Sequence, residues 1–489
     1  MVKKTLFALG GAAAALAVVL LANATTYHTR QIPAEPAPAM ALDTAAAAER
    51  LARALRFRTI SFGGASGVDT TPFHDLQLYL QRTFPRLHAA LTRERVGGLS
   101  LLYRWAGSDT TLAPILLLAH QDVVPVEPGT EGRWTEPPFG GSISDGFVWG
   151  RGALDDKDNL LGILEAVEGL VGQNFHPQRS VYLAFGADEE VGGTGAKAIA
   201  ALLAARSVHP AFIVDEGGAI MQGLVRGVPG SVALVGIAEK GYISVELTVH
   251  APGGHSSMPP AETAVGILSA AIERLERHPM PAAIRGVTAQ MLDYVGPELA
   301  FPERLAVANR WLFGGLIAGR IGATPAGNAL LRTTTAPTML QAGVKDNVLP
   351  SSARGVVNFR ILPGDTPDMV LAHVRATIRD PRVDVRRYES FLSQPSPVSD
   401  VGSPHFRLLE RTIRQVAPDA IVVPWLVVGG TDARQYTGLT PDVYRFSAAR
   451  MGPGDLERVH GTNERLAVAS YVQVVKFYVL LVRNAALGS

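Results

Sequence analysis

A chain of 489 residues, 47% hydrophobic and 18% charged, has room for about two to four folding units and is too apolar to be disordered or fibrous. Its 45 basic and 44 acidic residues leave a net charge of +1, which supplies no general field for gathering nucleic acid, so no nucleic-acid partner is expected. The absence of cysteine excludes disulfides, thiolate nucleophiles, cysteine-type zinc fingers and iron–sulfur clusters, and confines any metal to histidine and carboxylate ligands.

The chain opens with Lys3-Lys4, an uncharged run over residues 5–21 and the small-residue triplet Ala22-Asn23-Ala24. That order reads as an export signal, cut after Ala24 or kept as a membrane anchor with the lysines in the cytoplasm. The body is accordingly expected outside the cytoplasm, periplasmic or secreted if the signal is cut and membrane-attached if it is not. Residues 1–24 are assigned to this signal or anchor and residues 25–42, rich in Pro and Ala, to a linker in extended conformation. From Asp43 onward, apolar strand-like runs at 115–118, 181–185 and 212–214 alternate with helical stretches at 159–171 and 196–205, the pattern of a mostly parallel sheet covered on both faces. Near Lys240 the pattern changes. Ile243, Val245, Leu247 and Val249 alternate with Ser244, Glu246, Thr248 and His250, which predicts a strand with one wet face in a different sheet. A helix over 261–277, a strand over 356–361 and a helix over 366–379, capped by Asp365 or Thr366, complete a βαββαβ pattern. More α/β signal follows, with helices at 406–416 and 464–482 and strands at 421–428 and 442–446. The simplest organisation is an α/β catalytic domain over 43–241 and 392–489, with a smaller α+β domain inserted at 242–391.

Chemistry-bearing residues gather where the strands end. His120-Gln121-Asp122, Asp155-Asp156, Asp188-Glu189-Glu190 and Asp215-Glu216 all follow predicted strands or the Gly150-Arg151-Gly152 turn, and in an open α/β sheet that rim is where ligands bind. Taken singly, each reads as a loop residue, a turn or a cap. Taken together, so many anions in a partly dry crevice repel one another unless cations neutralise them, and a divalent metal on His and carboxylate oxygens is the economical answer. No G-x-S-x-G elbow, H-E-x-x-H pair or Walker loop competes with that reading.

The ordered motifs H-x-D, G-R-G-x-x-D-D-K, D-E-E-x-G-G-x-G, V-D-E-G, G-G-H-S-S and H-G-x-N-E resemble the di-zinc aminoacylase/carboxypeptidase family, from about residue 45 to 485. Within it, the segments A-F-I-V-D-E-G-G, A-G-V-K-x-N-V and V-N-F-R-I-x-P-G look like the branch of carboxypeptidase S and the N-fatty-acyl-amino acid synthase/hydrolases. The resemblance implies an α/β sandwich with an inserted ferredoxin-like lid and dimerisation domain. It implies two zinc ions per subunit, other divalent metals being possible, with His120 and Asp215 on one, Glu190 and His460 on the other, and Asp155 bridging. Glu189 is implied as general base and Asp122 as the residue that orients His120, and the bond between Asp155 and Asp156 is implied to be cis. Two residues' separation suits Asp122 for fixing the imidazole tautomer, and Glu189, next to a ligand, can reach a water without occupying the metal. His255 is implied as a donor to the scissile carbonyl, often in a partner subunit's centre, and Arg360 and the weaker companion Asn347 as the grip on a substrate carboxylate. The expected reaction is hydrolysis of an amide bond beside a free carboxylate in a peptide or N-acyl amino acid. An aminopeptidase or dipeptidase on the same site, or a non-catalytic binding protein on a peptidase fold, is the alternative. The apolar stretch 282–330, with Trp311-Leu312-Phe313, is read either as an acyl-chain groove or as ordinary core.

Overall fold

The computed structural model describes residues 2–486 except 39, 63–68, 224–226, 229 and 390. The larger of its sheets is built around four parallel strands, in the order Val181–Gly186, Ile115–His120, Phe212–Asp215 and Val443–Arg445. Ser100–Trp105 and Thr92–Val96 extend one edge antiparallel. At the other, Ser231–Glu239 crosses Val443–Arg445 antiparallel and carries Ala420–Val427 in parallel. Every residue of Ile115–His120 is buried, as the continuous apolar run requires of a strand covered on both faces. The two faces are distinct: Ile115, Leu117 and Ala119 pack with Leu160, Leu164, Val474 and Tyr478. Leu116 and Leu118 pack with Ala196, Ile199 and Leu203. Helices Lys157–Gly172 and Val468–Ala486 therefore cover one face and Thr194–Ala205 the other.

The second sheet has four antiparallel strands, in the order Thr334–Ala342, Ser352–Ile361, Gly241–His250 and Val383–Arg387. Helices Ala264–Arg277 and Pro367–Ile378 pack on one face of it and close a separate core around Val245, Leu247, Leu268, Val357 and Val374. The chain order is the expected βαββαβ. Thr263 and Thr366 start these helices, accepting from Gly266 N–H at 3.1 Å and Met369 N–H at 3.2 Å.

Two expectations need correction. The alternate face of Gly241–His250 is not wet: Ser244, Glu246 and Thr248 are buried. Arg354 and Arg386 from the neighbouring strands lie on Glu246, and Asn358 Nδ2 donates to Ser244 Oγ at 3.1 Å, so cross-strand partners cover the polar positions. The last helix begins at Val468, not Glu464, because Arg465–Ala467 pairs as a strand with Phe147–Trp149. Helices Gly286–Val295, Phe301–Ala308 and Pro325–Leu331 send Val287, Leu292, Val295, Val307 and Leu330 into the larger core, and Arg310–Ile321 rests only the half-buried Ile317 and Ile321 against it. The Pro/Ala stretch carries no helix or strand from Tyr27 to Asp43 among the described residues, but it is tied down. Gln31 Nε2 donates to the Val422 carbonyl at 2.8 Å and Ala37 N–H to the Gln415 carbonyl at 2.9 Å.

Candidate metal centre

The rim at the carboxyl ends of the parallel strands holds the cluster. His120 is the last residue of its strand and fully buried. Its Nδ1 lies 3.0 Å from the Asp122 carbonyl and 3.3 Å from Asp122 Oδ1. A carbonyl only accepts, so Nδ1 carries a proton and Nε2 faces Asp155 Oδ1 at 2.9 Å. Asp155 follows the turn at Gly152, whose φ of +87° suits glycine, and the Asp155–Asp156 bond is cis. Its second oxygen meets His460 Nε2 at 3.0 Å, and the same nitrogen lies 3.1 Å from Glu190 Oε1. One carboxylate thus stands between two imidazoles that come from positions 340 residues apart by number, 120 and 460. Donor atoms of His120, Asp155 and Glu190 all lie within 4.8 Å of one another.

Buried Asp122 organises the floor. Its oxygens accept from Ser61 Oγ at 2.7 Å and from the Glu189 and Glu190 N–H groups at 3.2 Å each. Burial alone raises its pKa, and the bonds from His120 and Ser61 outweigh that and hold it below the ordinary carboxylate value. His460 is pushed up to about 10 by its bonds to Asp155 and then Glu190, against the effect of burial. Burial lowers the pKa of His120, yet the bonds to Asp122 and Asp155 carry it well above the usual imidazole value. The cluster therefore binds positive charge strongly, and a divalent cation competes with those protons for the same lone pairs. The donor set, two imidazole nitrogens facing shared carboxylate oxygens with no sulfur, fits a divalent metal of the zinc type.

Other expected residues sit differently. Glu189 is buried beside the cluster, its carboxyl pushed well up by burial, with Arg434 Nη2 at 3.6 Å. Asp215 stands outside the group of donors within 4.8 Å of one another: its Oδ2 accepts from Ala433 N–H at 2.7 Å, and burial raises its pKa. Arg360 lies in the second sheet with its guanidinium 4.8 Å from the Tyr242 ring centre, and burial lowers its pKa, with Arg434 adding to the effect. His255 and Asn347 meet on a small exposed ribbon, where Gly254–His255 pairs with Val348–Leu349 and Ser256 N–H donates to the Asn347 carbonyl at 3.3 Å.

Three contributors lie outside the reading of the sequence. Arg151 and Glu464 form a fully buried ion pair. Arg151 Nη2 donates to the His460 carbonyl at 2.9 Å, while Glu464 accepts from Leu154 N–H at 2.9 Å, so the pair ties the Asp155 turn to the His460 loop. Both residues fall inside the G-R-G and H-G-x-N-E motifs, which was the available signal. Arg434 follows the Gly429-Gly430-Thr431-Asp432 loop and links Glu189 to the neighbourhood of Arg360. In the same loop, both Asp432 carboxylate oxygens lack a hydrogen-bond partner among the described residues, and a Cβ at Gly186 or Gly193 would collide with them.

The model of the family described as "Peptidase family M20/M25/M40" matches residues 116–484. The chain belongs to this family. Among relatives, a "Probable carboxypeptidase S-like 2" of Dictyostelium discoideum is 42% identical over 445 residues, covering 89% of this chain and 84% of that protein. The N-fatty-acyl-amino acid synthase/hydrolase PM20D1 of Homo sapiens is 40% identical over 441 residues, covering 89% and 87%. Carboxypeptidase S of Saccharomyces cerevisiae is 31% identical over 466 residues, covering 83% and 77%. A solved M20 family metallo-carboxypeptidase, Sso-CP2 from Sulfolobus solfataricus, superposes with a TM-score of 0.64 at 18% identity, over 90% of this chain and 99% of that one. That last likeness shows the fold. The M20/M25/M40 assignment makes the chain a peptidase-family hydrolase, and it accounts for a rim built from histidines and carboxylates on an α/β sheet.

Proposed function

We infer that this M20-family chain hydrolyses an amide bond adjacent to a free carboxylate, acting as a carboxypeptidase or N-acyl-amino acid hydrolase with two zinc ions. The observation that carries the reading is Asp155 standing between the His120 and His460 imidazoles with Glu189 alongside. Relatives named for carboxypeptidase S and for N-fatty-acyl-amino acids support the substrate class. His120, Asp155, Glu190, His460 and Asp215 would hold the cations. When bound, the cations polarise the amide carbonyl and acidify the attacking water. Glu189 takes the proton of that water on its carboxylate and returns it to the leaving nitrogen. Asp122 fixes the His120 ring. His255 donates to the carbonyl oxygen as charge develops there, and its exposure on the ribbon supports service in a partner subunit's centre, the inserted domain at 242–391 forming the dimer. Arg360 grips the substrate carboxylate with Asn347 beside it.

The test is a panel of N-fatty-acyl amino acids, blocked dipeptides and free-amine dipeptides, assayed with dialysed and zinc-reloaded protein. Activity confined to free-amine dipeptides selects the aminopeptidase alternative, and none on any member selects the binding protein. In the same assay Arg360→Ala is expected to raise KM about 10–100-fold, the loss of a charge-assisted bidentate contact. An unchanged KM removes the carboxylate grip.

A further inference from the structure

Helix Val2–Thr25 contains an apolar span, Lys4–Thr25, of 22 residues with none of its tested window buried in the protein. At about 1.5 Å per residue it is about 33 Å long, enough to cross a bilayer. A core helix of that composition would be covered, and this one is bare until its last turns. There it joins the body at one place. Asn23 Nδ2 donates to Asn309 Oδ1 at 2.8 Å, Asn309 Nδ2 donates to the Leu20 carbonyl at 3.0 Å, and Ala24 is buried. Asn309 is the junction between helices Phe301–Ala308 and Arg310–Ile321.

Those two helices lie within the apolar stretch read from the sequence as groove or core; part of the stretch is core, Val307 included, but the outer side of the second helix is not. Arg310–Ile321 has no buried residue; Trp311 is 64%, Leu312 45% and Leu316 61% exposed. Nothing lies within 4 Å of a Cβ placed at Gly315 or Gly319 on the same side of the helix. Phe301 adds a further exposed aromatic at the start of the neighbouring helix. Arg320 adds an exposed basic side chain near the end of the helix, whereas Arg310 turns back to pair with Asp293. A tryptophan, leucines and an arginine on one bare face suit a helix lying in the interfacial plane of a membrane. The surface stands at the point where the membrane-length helix leaves the body, which is where a headgroup layer would be.

We propose that the exposed face of Arg310–Ile321, with Phe301, lies in the outer headgroup region of the bilayer that Val2–Thr25 spans as a retained anchor. The body is then held against the membrane by two elements instead of hanging from one. A bilayer surface is the occupant, argued from the anchor's attachment at Asn309 and from exposed Arg320, which suits a lipid phosphate.

The natural lack of cysteine allows a single reporter at a chosen position. Full-length Leu316→Cys, labelled with an environment-sensitive fluorophore and reconstituted in phosphatidylcholine/phosphatidylglycerol vesicles, is compared with labelled Asp384→Cys on the edge strand of the second sheet. Lipids brominated near the headgroup are expected to quench the label at 316 at least about threefold more than that at 384, with a blue-shifted emission. Equal quenching at the two positions, with the protein still sedimenting with the vesicles, overturns the proposal. Recovery of a mature chain beginning after residue 24 also overturns it, since the anchor is then lost. Neither readout depends on catalysis, so a failure here and a failure of the hydrolase reading are separable.

Discussion

The strand-end rim of the larger sheet and the exposed two-stranded ribbon of Gly254–His255 and Val348–Leu349 solve opposite problems. At the rim, His120, Asp122 and Asp155 are fixed by bonds from several directions, and the Arg151–Glu464 pair locks the turn to the loop that carries His460. On the ribbon, His255 is exposed, and its Nδ1 accepts from Ser257 N–H at 3.1 Å two residues away. The rim confines charge that water would otherwise screen, so its geometry has to be held by the fold. On the proposed reading the ribbon carries a donor whose partner arrives from outside, and little holds it in place. A residue at the rim should therefore couple activity to stability, and a residue on the ribbon should not.

The strongest way to break that contrast is at Glu189. Glu189→Gln preserves shape and is expected to lower kcat about 10²–10⁴-fold while bound zinc, measured by elemental analysis, stays unchanged. Retained activity would dismiss its role as base. Arg151→Met comes next. Removing one member of a fully buried ion pair leaves the other charge stranded and is expected to cost about 3–5 kcal/mol in urea unfolding, with loss of zinc as the His460 loop slackens. A cost under ~1 kcal/mol would mean that the rim is not held as described. His255→Ala carries the contrast to the other region: kcat about 10²-fold lower, with the unfolding midpoint within error of the wild type. A parallel loss of stability would show the ribbon to be structural.

Much of this arrangement was readable beforehand, for a physical reason. His120, Asp155, Glu190 and Asp215 follow apolar runs or a glycine turn within a short span, and parallel strands must bring such ends to one rim. His460 became readable only through the family resemblance, because no local pattern ties it to a turn 305 positions earlier, at 155. Arg151 and Glu464 stood in plain view inside motifs, yet their pairing is a contact between distant segments. Likewise, alternation in Gly241–His250 correctly indicated a strand but not its wet face, since the covering arginines belong to other strands. The exposed Trp311 shows the same limit in reverse. An apolar side chain in a helix reads as core until the fold shows that nothing faces it.

Lys240 joins the larger sheet to the second one: it is the single residue between strand Ser231–Glu239 of the first and strand Gly241–His250 of the other. Its buried Nζ donates to the Ala329 and Arg332 carbonyls at 2.9 Å each. Burial, with the nearby Arg360 charge as the lesser cause, lowers its pKa from 10.5 to about 7. The unfolded chain then binds a proton that the folded chain lacks between those values, so stability is gained as pH rises through that window and lost as it falls toward 7. The slope is at most about 1.4 kcal/mol per pH unit. Lys240→Met keeps the buried stem and removes the titration, at a fixed cost for the two carbonyls. In urea melts the wild type should therefore gain on this variant by about 1–2 kcal/mol between pH 7 and 9, the smallest effect in the series. A gap that stays constant with pH would mean that the joint keeps its charge, with the two carbonyls solvating an ammonium. The two sheets would then be coupled by a permanent charge at their junction, and the smaller sheet would feel the charge state of any carboxylate bound at Arg360.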